Sequence, residues 1–96
     1  MASEETYRSK HEIERDILRA LFESRHVGLK KLHLMQRAML NHDQQVRYTT
    51  KLLEAERISY DGLLFTITPK GIVYLGKLKV LDDGKGETKE KVGAHA

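Results

Sequence analysis

A mainly α-helical domain carrying one β-hairpin, in the order α-α-α-β-β-α, is the fold that this 96-residue sequence predicts. Three observations carry the prediction. Apolar residues recur at helical spacing through three successive stretches, the pattern turns strand-like around an Asp-Gly pair after Arg57, and a Thr-Pro pair then opens a last helix. At this length a second domain has no room, and 40% hydrophobic with 32% charged residues supports one modest core.

The first helix is expected from Arg8 to Glu23, where Ile13, Ile17, Leu18, Leu21 and Phe22 fall three and four residues apart among charges. Arg25 to Gly28 breaks that period. Leu29, Leu32, Met35 and Met39 resume it, with Lys30, Lys31, His33 and Arg37 on the other side, which predicts a short basic second helix. Asn41 followed by Gln44 has the spacing of a capping box, so a third helix should start there. Projected at 100° per residue, Val46, Thr49, Leu52 and Leu53 form its packing side. Asp43, Gln44, Arg47, Thr50, Lys51 and Glu54 form its free side.

Ile58 to Tyr60 and Leu63 to Ile67 flank Asp61-Gly62, which predicts a hairpin closed by a type I′ turn. Thr68 then serves as N-cap, Pro69 stands at the first helical position, and Ile72, Leu75 and Leu78 supply a stripe ending near Leu81. The domain is thus expected over residues 8–81, with a frayed segment at 1–7 and a disordered charged tail at 82–96. Three helices, a hairpin directly after the third and a closing helix are the arrangement of a winged helix-turn-helix, in which helices two and three are the reading unit and the hairpin is the wing.

The charge map agrees with that arrangement. Between Arg25 and Lys51 stand six cations (Arg25, Lys30, Lys31, Arg37, Arg47, Lys51) and a single anion, Asp43, whereas residues 1–24 hold more acids than bases. The basic stretch covers the reading unit, as a polyanion-binding surface requires.

The stretch Ala38 to Gly71 also resembles a known family, the archaeal winged-helix DNA-binding domains related to small nucleoid proteins and predicted transcription regulators. The matching residues are Ala38-Met39-Leu40-Asn41-His42 at the opening of the reading helix, Tyr48 in its middle, Leu52-Leu53-Glu54-Ala55-Glu56-Arg57-Ile58 leading into the first strand, and Ile67-Thr68-Pro69-Lys70-Gly71 opening the last helix. The resemblance implies the same fold, and double-stranded DNA as partner. Two departures stand out. Glu56-Arg57 replaces the glycine usual before the first strand, and the last helix lacks the sustained heptads with which some members build a coiled-coil dimer.

On this reading Arg47 pairs with guanine or phosphate from the free face of the third helix, with Gln44 and Thr50 as neighbouring readers and Tyr48 at the edge. Lys30, Lys31, Arg37 and Lys51 contact phosphates, which position without specifying sequence. The wing consists of Tyr60, Asp61 and Gly62; with an acidic turn and no Lys or Arg between Ile58 and Ile67 it grips phosphate poorly. Ile72, Leu75 and Leu78 are expected to form a homodimer interface through the last helix.

Other classes of function are excluded by what is missing. Without cysteine there is no disulfide, thiolate nucleophile or Cys-based metal site, and the spacing of His26, His33 and His42 follows no ligand pattern. No glycine-rich phosphate loop or nucleophile–base pair is present, so neither catalysis, a small-molecule substrate nor a cofactor is expected. No apolar run approaches the roughly 18 to 20 residues of a membrane span, and MASEETYRSK lacks a signal-peptide core, so a cytoplasmic, nucleoid-associated protein is expected. The expected function is that of a transcription regulator or nucleoid factor. The alternative is a winged helix used as a protein-interaction module, which would not need six cations along two helices.

Overall fold

In the computed structural model residues 8–80 are described. The expected frayed start at 1–7, the tail at 82–96 and the helix end near Leu81 lie outside the described residues.

Helix α1 spans Lys10–Glu23 and begins two residues later than the periodicity suggests, because Ser9 is its cap. The Ser9 hydroxyl accepts from the Glu12 amide at 3.1 Å, and the Glu12 carboxylate accepts from the Ser9 amide at 2.8 Å. Two orphan amides are satisfied reciprocally. Ile13, Ile17, Leu18 and Leu21 are buried and Phe22 packs at the core's margin. Helix α1 is the axis of the domain, packed against α2 (Lys31–Ala38), α3 (His42–Glu54) and strand β2 (Phe65–Ile67).

The core face of α2 differs from the expected stripe. Leu34 and Ala38 are buried, Met35 is half-buried, while Leu32 and Met39 are largely exposed. Leu29 lies before the helix, bridging Phe65 through Leu29 N–H to the Phe65 carbonyl (3.0 Å) and Phe65 N–H to the Leu29 carbonyl (2.8 Å). The apolar residues of this stretch therefore serve two elements, a one-residue addition to the sheet and a helix, and a single helical period cannot describe both.

Helix α3 starts at Asn41 as expected, but its core face is rotated toward Gln45 and Tyr48. Gln45, Tyr48, Thr49 and Leu52 are buried, whereas Val46, expected inside, is 46% exposed. Gln45 is partly satisfied there: its amide Nε2–H donates to Thr49 Oγ1 (3.3 Å), whose own hydroxyl donates to the Gln45 carbonyl (2.6 Å), while its Oε1 is buried with no hydrogen-bond partner among the described residues.

Strand β1 (Ile58–Tyr60) pairs antiparallel with β2 in the register Ile58 to Ile67 and Tyr60 to Phe65. The turn is shifted by one residue from the type I′ expectation, which needs positive φ at both Asp61 and Gly62. Gly62 has φ +98° but Asp61 does not have a positive φ. Asp61 instead flanks the turn, its carboxylate accepting from the Leu63 and Leu64 amides at 2.9 and 2.8 Å. Those two bonds to the charged form hold the Asp61 carboxyl below its usual range.

Helix α4, described over residues 69–80, opens as the Thr68-Pro69 pair predicts: Thr68 Oγ1 accepts from the Gly71 amide at 3.0 Å. The same hydroxyl donates to the Glu56 carbonyl at 2.7 Å, and the Thr68 amide donates to the Arg57 carbonyl at 3.1 Å. Leu75 and Leu78 face inward and are spent on the chain's own core, which corrects their assignment to a dimer surface; Ile72 stays exposed. Tyr74 Oη donates to the buried Glu14 carboxylate at 2.6 Å, and the Arg57 guanidinium lies 3.6 Å over the Tyr74 ring. These contacts join α1, α4 and the entry to β1.

Two expectations follow. A methyl group at Gly71 would fall on the Arg57 carbonyl oxygen, so Gly71→Ala should destabilise the domain by about 1–3 kcal/mol, the cost of overpacking, read as a lower urea midpoint at unchanged slope. Burial, then the bond to Glu14, pushes the Tyr74 phenol up from 10 to about 12. Since the folded state favours the protonated phenol, that stability is whole below pH 10 and is lost as pH rises toward 12. The fall in melting temperature over this window should be shallower in Tyr74→Phe, which also loses the phenolate absorbance appearing near pH 12.

Candidate nucleic-acid interface

The surface in question is built on α2, α3 and the three residues between them. Helix α2 ends in a Schellman motif: the Met39 amide donates to the Gln36 carbonyl at 3.3 Å and the Leu40 amide to the Met35 carbonyl at 2.8 Å. Met39 takes the left-handed conformation (φ +57°) that glycine ordinarily fills there. Leu40 is buried, and Asn41 caps α3 by accepting from the Gln44 amide at 2.8 Å.

Arg8 secures this turn from outside. Its guanidinium donates to the Ala38 carbonyl at 2.9 Å, the Met39 carbonyl at 2.6 Å and the Asp16 carboxylate at 2.6 Å. A cation on the last carbonyls of α2 satisfies acceptors the helix leaves open and opposes the negative end of its dipole. The orientation of α3 is thereby tied to α1.

Of the residues that the sequence proposes as contacts, Lys30, Lys31, Arg37, Arg47, Thr50 and Lys51 are exposed. Arg47 Nη2 donates to Asp43 Oδ2 at 2.7 Å, one helical turn back. Arg37 stands 4.0 Å from Glu23. Lys30 and Lys31 have no carboxylate partner among the described residues, and neither does Lys51, whose ammonium lies 5.9 Å over the Tyr48 ring. Lys30 occupies the N-cap position of α2 with no side-chain cap bond, and no acid stands in that helix's first turn. Cations at a helix N-terminus oppose the dipole, so helix stability does not account for this pair.

Two proposed residues are placed differently. Tyr48 is buried at 9% exposure, its ring in the core beneath Lys51, because the rotated face of α3 draws it inward. Gln44 is half-buried, and its Oε1 accepts from the Asn41 amide at 3.0 Å, which commits that oxygen to the cap. The free face of α3 is instead Asp43, Val46, Arg47, Thr50, Lys51 and Glu54.

The wing is exposed but inwardly bonded. Tyr60 stacks on Phe65 with ring centroids 4.2 Å apart, and its hydroxyl donates to the Gly62 carbonyl at 3.0 Å. The Asp61 carboxylate is engaged by amides, and the Leu63 side chain beside it is exposed. Among the described residues no group of three or more His, Asp or Glu side chains is placed to hold a metal ion.

Met39 is 76% exposed, so its side chain contributes little packing while its backbone carries the left-handed strain. Met39→Gly should therefore stabilise the domain by about 1 kcal/mol, since the bonds from Arg8 go to backbone oxygens and persist. Thermal unfolding checks the sign.

A comparison with curated proteins finds no match. A family model described as winged helix-turn-helix matches residues 7–85, which takes in every described element and both helices of the basic surface. Such a domain points to DNA binding in general. No helix among the described residues is long and apolar enough to cross a membrane. With four helices and a two-stranded antiparallel hairpin among the described residues, and this match over most of its length, the chain belongs to the winged helix-turn-helix family.

Proposed function

We propose that the protein binds double-stranded DNA with α3 in the major groove, as a cytoplasmic transcription regulator or nucleoid-associated factor of the archaeal winged-helix type. One observation carries the reading: Lys30, Lys31, Arg37, Arg47 and Lys51 all stand exposed on the helix pair that this family uses for docking, and three of them have no carboxylate partner among the described residues. The lysines are phosphate contacts, giving affinity without sequence information. Arg47 presents the rest of its guanidinium fork to a guanine edge, and Thr50 flanks it. The wing, free of Lys and Arg, adds little to phosphate binding.

The homodimer proposed from the last helix rests on a smaller set than Ile72, Leu75 and Leu78. Ile72, with Val73 and Val80 at 61% and 68% exposure, is the apolar material α4 offers to a second copy. The alternative use of the fold, as a protein-interaction module, draws on the same exposed residues and on Leu63.

Anisotropy of a labelled duplex titrated at salt concentrations from about 50 to 200 mM tests the reading, through a steep negative slope of log affinity against log salt. Arg47→Ala should cost about 1–3 kcal/mol on a preferred sequence and less on random DNA, whereas Lys30→Ala should weaken all duplexes alike and reduce the salt slope by about one. Absence of binding at the lowest salt overturns DNA as the ligand and favours the interaction module.

A further inference from the structure

The free face of α3 has a composition that phosphate binding does not explain. Asp43 with Val46 and Arg47, and these two with Thr50, stand three and four residues apart on the exposed side, so the four form a single stripe. Within the stripe the cation, Arg47, is paired with Asp43 at 2.7 Å, while Lys51 stands at its edge with the ammonium over the Tyr48 ring. Asp43 repels a phosphate, and Val46 offers one nothing. A surface meant for the DNA backbone would carry unpaired lysines, as the start of α2 does with Lys30 and Lys31.

Base edges ask for other chemistry. In the major groove each base pair shows a distinct set of donors and acceptors, and pyrimidines carrying a 5-methyl group also show an apolar knob. Val46 is 46% exposed in the second turn of the helix, among the residues that enter a groove first. Valine is a weak helix former whose χ1 is confined in a helix, so its branched methyls are held in a fixed place at a position where packing does not require them. Thr50, one turn on and exposed on the same side, adds a further methyl.

We infer that Val46 is a specificity-determining residue that packs against the 5-methyl group of a pyrimidine in the major groove, next to the base pair addressed by Arg47. The inference rests on the DNA-binding reading and deepens it. Thymine is the ordinary source of that methyl group, and 5-methylcytosine presents the same chemistry.

The test begins with a duplex selected by the full chain from a random pool. Each thymine near the guanine that Arg47→Ala affects is replaced by deoxyuracil, which lacks only the methyl group. At one position the unaltered protein should lose about fourfold in affinity, the value of one buried methyl group, while Val46→Ala binds thymine and uracil duplexes equally. If the position selected is cytosine and its 5-methylation raises affinity in a Val46-dependent way, the methyl group is still what is read, from the other source. Thermal melting of Val46→Ala should show no loss of stability, since alanine is the better helix former, so a binding defect is not a folding defect. Duplex binding without selectivity, or equal losses for Val46→Ala on thymine and uracil duplexes, overturns the inference and leaves DNA binding standing. No duplex binding at low salt overturns both.

Discussion

The direction in which α3 points depends on the three-residue turn Met39-Leu40-Asn41, and that turn is held by the guanidinium of Arg8. A left-handed methionine costs roughly 1–2 kcal/mol, and two consecutive carbonyls at the end of α2 would otherwise be left to solvent. Arg8 binds both carbonyls while its own charge is balanced by Asp16. Charge-assisted bonds of this kind are stronger than neutral ones, and they join α1 to residues 30 and 31 positions further along the chain. With Leu40 buried and Asn41 capping from the other side, little rotation is left to α3. Geometry at the exposed face is therefore decided at the opposite edge of the helix pair.

The far end of α3 is solved in a parallel way. Glu56, where the family usually has glycine, is left-handed (φ +63°), and the Glu56 and Arg57 amides reach the Leu53 and Leu52 carbonyls at 2.9 Å each. Thr68 then binds the carbonyls of both Glu56 and Arg57, and Gly71 lets α4 lie directly against the latter. The departure from glycine thus leaves the corner intact, because Glu56 enters the hydrogen bonds that define it only through its backbone atoms. Its side chain adds a contact to Lys70 at 3.2 Å, which at that exposure is worth little.

Features decided within a few residues were legible in the sequence. Asn41 with Gln44 and Thr68 with Pro69 act as caps because capping needs only a side chain and the amides two or three residues on. Asp-Gly marked the hairpin, but the frame of the turn depended on where the strands pair, and Leu29 bridging Phe65 belongs to that long-range register. The faces of α2 and α3 were misread for a related reason. Periodicity turns apolar residues inward, yet Val46 and Leu32 stand exposed while Gln45 and Glu14 are buried, each with a partner the sequence pattern does not reveal. Of the candidate contacts, those that are simply charged stand exposed, as their chemistry alone predicts. Tyr48 is not separable from a surface residue by its position in the sequence, because its burial depends on how α3 is rotated, whereas Gln44's part in the cap is legible from its spacing to Asn41.

The ion pairs divide the basic surface into two kinds of cation. Lys30, Lys31 and Lys51 have no carboxylate partner among the described residues, so no ion pair there holds their ammonium groups back from a phosphate. Such contacts tolerate displacement and weaken with salt. Arg47 is tied to Asp43, and in water that pair contributes at most about 1 kcal/mol, so its presence is a small matter for stability. In a groove from which water has been displaced the same pair is stronger, and it fixes the guanidinium before the ligand arrives, which lowers the entropy lost on docking. A carboxylate beside the single arginine also penalises any register that brings a phosphate to it. On the proposed DNA-binding reading, lysines without a carboxylate partner and an arginine restrained by Asp43 separate affinity from sequence discrimination, a division written in the positions of five side chains on or beside two short helices.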